Sequence, residues 1–68
     1  MEVASKLAQL LPHWIEHNES HAQQFEEWGR KAEAAGLEHV AKHLEAAART
    51  ARQANLELSR SQGLLGGE

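Results

Sequence analysis

Apolar side chains recur every three or four residues along most of the chain, as expected for amphipathic α-helices. The repeat begins at Leu7 and restarts, in a different phase, at Leu37. The break between the two phases falls at Gly36, and glycine adopts a positive φ at little cost just after a helix end. The pattern therefore predicts two helices, residues 12–35 and 37–62, joined by a tight turn.

The predicted seam between the helices is a set of a and d heptad positions. Its members are Leu7, Leu11, Trp14, Asn18, His21, Phe25, Trp28, Ala32 and Ala35, followed by Leu37, Val40, Leu44, Ala47, Ala51, Ala54 and Leu58. A short turn makes the helices antiparallel neighbours, so Trp28 is expected to face Leu44. The predicted fold class is all-α, an antiparallel two-helix hairpin.

The two ends of the chain lie outside this hairpin in the prediction. Residues 3–11 are expected to form a short separate helical segment, because Pro12 suits the first turn of a helix and restricts the residue before it. A kinked continuation is the alternative. Gly63 is expected to end the second helix, which leaves residues 63–68 as a tail of a single domain, 1–68.

The flanks of the predicted seam differ in polarity. One flank is small and mostly apolar and includes Ile15, Ala22, Ala41 and Ala48, whereas the other flank is polar. A chain of 68 residues rarely stabilises itself by core burial alone. The apolar flank therefore predicts a homodimer that completes a four-helix bundle, with residues 3–11 as the alternative cover.

Charge and composition argue against several functional classes. The net charge is −3 and the chain has no cysteine, which disfavours nucleic-acid binding and thiolate metal sites. No stretch approaches the ~18 apolar residues of a membrane span, and the N-terminus does not resemble a secretory signal. No catalytic triad or phosphate-binding loop is evident, so we expect a cytoplasmic protein without enzyme activity.

The chemistry that remains is that of histidine, which occurs five times. Three of the five follow one another at intervals of four residues, and the other two are again four apart: His13, His17, His21, His39 and His43. Residues four apart are neighbours on a helix face, and two imidazoles at that spacing can bind one divalent ion at ~2.0–2.1 Å. Three in a row on a straight helix cannot all reach one ion.

The predicted metal ligands are His17 and His21, with His13 nearby and with Glu57 or a second chain completing the coordination sphere. The ion would be nickel, cobalt or zinc, which accept nitrogen and oxygen ligands. The alternative is a helical interaction or oligomerisation module without metal, in which the histidines serve in packing. His39 and His43 are the alternative metal-binding pair.

A resemblance bears on this choice. The chain carries the pattern HWxxHNxxHAxxFxxW, followed by AxxxG, AxxLxxAA and AN. It resembles a small uncharacterised helical domain of bacteria and archaea, which occurs alone or attached to nickel-binding accessory proteins of the carbon monoxide dehydrogenase maturation type. The resemblance covers roughly residues 7–60, with Gly29 where alanine is expected. It implies metal binding or delivery to a metalloprotein maturation partner, not catalysis.

Overall fold

The computed structural model describes residues 2–67 and consists of two α-helices, α1 (Glu2–Ala34) and α2 (Glu38–Leu65). The helices pack along their length into an antiparallel hairpin that measures 52 × 15 × 12 Å. The predicted all-α hairpin is confirmed. Within the described part of the chain, neither helix is apolar enough over a sufficient length to cross a membrane.

The turn has the geometry that the phase break predicts. Gly36 has φ +82°, and its N–H donates to the carbonyl oxygen of Glu33 at 3.0 Å. The N–H of Leu37 donates to the carbonyl oxygen of Ala32 at 2.9 Å. These two bonds form a Schellman motif, which satisfies carbonyl groups that the end of α1 would otherwise leave unpaired.

The predicted helix ends are wrong at both termini. α1 continues through Pro12, so residues 3–11 are not a separate segment. Because Leu11 is only 3% exposed, packing of this stretch along α2 outweighs the backbone hydrogen bond that a proline removes. α2 continues past Gly63 to Leu65. Met1 and Glu68, the limits of the predicted domain and tail, lie outside the described residues.

The seam between the helices is rotated from the predicted one. Its buried residues are Leu11, Ala22, Gly29, Ala32, Ala41 and Ala48. Half-buried Ile15, Phe25 and Leu44 continue the same heptad spacing. The small apolar flank was predicted to be covered by a second chain or by residues 3–11, but it lies inside the hairpin. Trp14 and Trp28, which were predicted to lie in the seam, are exposed.

Small side chains explain the rotation, because they let the two backbones approach closely. A Cβ built on Gly29 would lie 3.6 Å from both the Ala41 carbonyl oxygen and the Leu44 Cβ. Tryptophan at the same depth would force the helices apart and leave gaps beside it, which close-packed interiors avoid. The helices therefore meet mainly along alanine and glycine, and the two tryptophans turn outward.

Gly29→Ala is expected to raise the free energy of unfolding by about 0.5–1 kcal/mol. The added methyl group would meet its neighbours at ordinary van der Waals distances, and alanine favours the helix. Urea unfolding followed by circular dichroism measures the change. Gly63→Ala, in the exposed part of α2, is the control for helix propensity alone. Destabilisation by the Gly29 change only would contradict the stated spacing at the seam.

Candidate interaction face and histidine pair

One long side of the hairpin is apolar and open to solvent. Its side chains recur mostly at seven-residue intervals, so they form a column along each helix. This side, the outer face, consists of Leu7, Trp14, His21 and Trp28, followed by Leu37, Val40, Ala47 and Ala54. Trp28 is 58% and Trp14 40% exposed, and no member of the face is Asp, Glu, Lys or Arg. A large exposed apolar patch of this kind is typical of an interaction site.

Both ends of the outer face carry an open apolar hollow. At the turn end, Trp28, Leu37 and Val40 form the turn-end cluster, and each side chain is half-exposed or more. These three side chains line a hollow of about 300 Å³ together with Lys31 and Leu44. At the opposite end, the start of α1 and the end of α2 enclose an open groove of about 630 Å³. Its apolar lining includes Leu7, Trp14, Leu58 and Leu64.

The other long side of the hairpin is charged. Arg52 of α2 donates to both carboxylate oxygens of Glu19, from Nε at 3.2 Å and from Nη2 at 3.0 Å. The same guanidinium donates from Nη1 and Nη2 to Glu26. One arginine therefore joins two carboxylates that stand seven residues apart on α1.

These contacts change the acidity of both carboxyl groups. Hydrogen bonding to Arg52 lowers the pKa of Glu19 and the pKa of Glu26, and the positive charge of the guanidinium acts in the same direction. Partial burial opposes the effect in each case. The folded protein therefore holds these two carboxylates in their ionised form to a lower pH than the unfolded chain does.

Arg52→Gln is expected to lower the melting temperature at pH 7. The melting temperature of the variant should also depend less on pH in the acidic range. Because the folded pKa values are lowered, the stabilisation is fully present above the usual glutamate pKa of about 4.3 and is lost as the pH falls through the folded values. Thermal melts from pH 7 to pH 3 should show the gap between wild type and variant closing below about pH 4. Arg60→Gln, which removes an exposed pair with Glu57, is the control. A gap that stays constant with pH would contradict the assignment.

Asn55 fixes the alignment of the two helices. Its Nδ2 donates to the carbonyl oxygen of Ile15 at 3.0 Å, across the seam. Its Oδ1 is buried and has no hydrogen-bond partner within the described residues. A sliding of α2 along α1 would break the one bond that this amide makes. Polar seam residues commonly fix register in this way.

His17 and His21 are brought together by their spacing on α1. Their Nε2 atoms are 2.9 Å apart, and their ring planes meet at 71°. Phe25 stacks against the other side of His21, with ring centroids 5.9 Å apart. His13 lies one turn away, its ring centroid 6.0 Å from that of His17. His21 belongs to the outer face, and His17 lies beside it on the exposed side of the helix.

Glu57 does not complete this pair within one chain. Its carboxylate accepts a hydrogen bond from Arg60 at 2.7 Å. Among residues 2–67 no three His, Cys, Asp or Glu side chains are grouped so that they could hold one ion. A single chain thus offers two imidazoles at one place, which is half of a tetrahedral coordination sphere.

Comparison with known proteins identifies relatives but no assigned activity. The sequence model described as domain of unknown function (DUF8180) matches residues 7–65. An uncharacterized protein of Archaeoglobus fulgidus is 38% identical over 61 residues, which cover 90% of this chain and 97% of that protein. No solved structure matches the chain at a significant level.

Proposed function

The chain belongs to the family of the domain of unknown function DUF8180, and we propose that it is a helical self-association module. Its outer face would bind the same face of a second copy and form a four-helix bundle. The observation that carries this proposal is the exposure of both tryptophans on one mostly apolar face, where the Lys31 ammonium lies 4.3 Å from the centroid of the Trp28 ring. Tryptophan is enriched among the residues that dominate interface energies.

The solvent-accessible surface of the chain indicates how much area a partner would cover. The hairpin exposes 5286 Å², whereas a compact monomer of 7.5 kDa is expected to expose about 4,250 Å². The excess of about 1,000 Å² is close to the ~800 Å² that each partner buries in a standard protein interface. One further copy of the hairpin would therefore cover the excess.

The small core supports the same conclusion. The buried apolar side chains among the described residues are one leucine and four alanines. The radius of gyration is 15.5 Å, compared with about 11 Å for a compact 68-residue domain. An elongated hairpin with so few buried carbon atoms is expected to gain much of its stability from a second layer of helices.

The polarity and charge of the two sides favour a second copy over other occupants, and favour the outer face over the opposite side. Each copy exposes the same apolar surface, so the outer face of a second copy matches it in polarity and extent. The opposite side carries Glu19, Glu26 and Glu45 together with Arg30, Arg49 and Arg52. Charged side chains are depleted from the cores of protein interfaces, so this side is the less favourable one to bury.

Tryptophan fluorescence tests the proposal directly, because both tryptophans of the chain lie on the outer face. We expect emission at shorter wavelength at high protein concentration and a shift to longer wavelength on dilution, as the bundle dissociates and the indoles enter water. A long-wavelength emission maximum that does not change with concentration would contradict self-association through this face.

A second candidate function is metal binding, which the 2.9 Å approach of His17 to His21 favours. Nickel, cobalt and zinc all accept imidazole nitrogen. The metal-binding accessory role, and delivery to a metalloprotein maturation partner, rest on the sequence resemblance and stay predictions. Titration of untagged protein with these ions by calorimetry tests the binding step.

A further inference from the structure

One lysine borders the outer face at its turn end. The Nζ atom of Lys31 lies 4.3 Å from the centroid of the Trp28 ring, which is a cation–π contact. The same ammonium pairs at 3.2 Å with the carboxylate of Glu27, one turn earlier on α1. Lys31 also lines the turn-end hollow together with Trp28, Leu37 and Val40. A side chain that enters this hollow therefore meets a positive charge held beside the indole ring.

The opposite end of the outer face carries no such charge. The groove around Trp14 is lined by apolar side chains and by one hydroxyl, that of Ser61. Among residues 2–67, the contact of Lys31 with Trp28 is the one cation–π interaction. The two tryptophans that carry the proposed self-association therefore differ. Trp14 offers a partner apolar surroundings, whereas Trp28 brings an ammonium group with it.

Burial of Trp28 against a second copy changes the surroundings of this ammonium. The Lys31 side chain is 55% exposed in the single chain, so water reaches it. A partner that fills the hollow either removes that water or displaces the ammonium from the ring. Desolvation of a charge is costly, and displacement gives up the contact with the indole. A second copy offers no replacement, because no member of its outer face is Asp or Glu.

We propose that Lys31 restrains self-association by holding its charge against the Trp28 ring. The inference rests on the self-association proposed above and identifies the residue that limits its affinity. Glu27 keeps the ammonium in place in the single chain, and closure of the turn-end hollow on a second copy works against both contacts. Loss of the positive charge at position 31 therefore tightens the dimer.

The two parts of the Lys31 side chain act in opposite directions. Its aliphatic stem can cover apolar surface while its head stays in water, so the stem alone favours an apolar partner. The ammonium opposes burial. Lys31→Met keeps an unbranched apolar side chain and removes the charge, whereas Lys31→Arg keeps a charge that stacks on aromatic rings. The two substitutions therefore separate the charge from the stem.

Sedimentation equilibrium on untagged chains tests the restraint through the dimer dissociation constant. Lys31→Met should associate about 10-fold more tightly than wild type, since a dimer contains two cation–π contacts of modest strength. Lys31→Arg should associate no more tightly than wild type. Lys42→Met is the matched control, because it removes the same charge from an exposed lysine outside the outer face. The control should not tighten the dimer.

The outcomes separate this restraint from the self-association on which it rests. A dimeric wild type with a Lys31→Met variant that associates equally or less tightly overturns the restraint and leaves the module intact. Tightening by both Lys31 substitutions, or by Lys42→Met to the same extent, also overturns it, because the charge beside Trp28 would not be the cause. Wild type and variants that all stay monomeric overturn the self-association itself. Tightening by Lys31→Met alone supports the restraint.

Discussion

Replacing Trp14 and Trp28 together by glutamate is expected to convert the proposed dimer into monomers. Burial of each such side chain is worth about 1.5–3 kcal/mol, and a dimer contains four of them. The replacement also places four carboxylates in the proposed interface, which adds a desolvation cost. We expect the dimer to weaken by more than about 1,000-fold, or about 4 kcal/mol.

Sedimentation velocity over a range of concentrations measures this loss. Leu56→Glu is the matched control, because Leu56 is 59% exposed but lies outside the outer face. The control should sediment as the wild type does. Equal effects of the two changes would mean that added negative charge alone, not loss of the outer face, governs the association.

Leu11→Ala is expected to lower the free energy of unfolding by about 2–5 kcal/mol. Leu11 is the only buried apolar side chain larger than alanine among the described residues, and it lies directly before Pro12. Its loss removes the contact that holds the first third of α1 on α2. In a domain of this size, where a core rarely supplies more than about 3–5 kcal/mol, the effect approaches complete unfolding.

Chemical unfolding followed by circular dichroism gives the magnitude, and amide hydrogen exchange gives the location. Exchange should accelerate most in residues 2–11 and at the end of α2. Leu56→Ala removes the same atoms from an exposed position and should change stability by less than about 1 kcal/mol. Loss of stability of the same size in both variants would contradict the packing described for Leu11.

Helix number, the position of the turn and the antiparallel arrangement could be predicted from the sequence because they depend on local signals. The phase break and Gly36 together specify a left-handed residue after a helix end, and the Schellman hydrogen bonds follow from it. The continuation of α1 through Pro12 could not be predicted in the same way. Proline weakens a helix locally, but burial of Leu11 depends on the length of α2, which extends past Gly63.

The choice of seam was wrong because three neighbouring columns of the heptad are apolar or small. The periodicity of the sequence shows that these columns form one apolar surface on each helix. It does not show which of the columns lie between the two helices. Size decides it: Ala22 and Gly29 allow close approach, whereas Trp14 and Trp28 suit a wider gap between two layers of helices. A seam prediction that ranked columns by side-chain volume would have found the observed one.

The candidate site was predictable where it depended on one helix. His17 and His21 meet because residues four apart on a helix are neighbours. Glu57 was placed near them by approximate alignment of two helices, and in the structure it pairs with Arg60 instead. The bridge from Arg52 to Glu19 and Glu26 has a signal in the sequence, because the two glutamates are seven residues apart on the column beside the seam.

The most direct test of self-association is the molar mass of the untagged wild-type chain at micromolar concentration, without added metal, by sedimentation equilibrium. One chain has a mass of 7.5 kDa. The outer face, its exposed tryptophans and the excess surface predict a species of twice that mass. A single species at the mass of one chain, over the whole range of micromolar concentrations, would contradict the account.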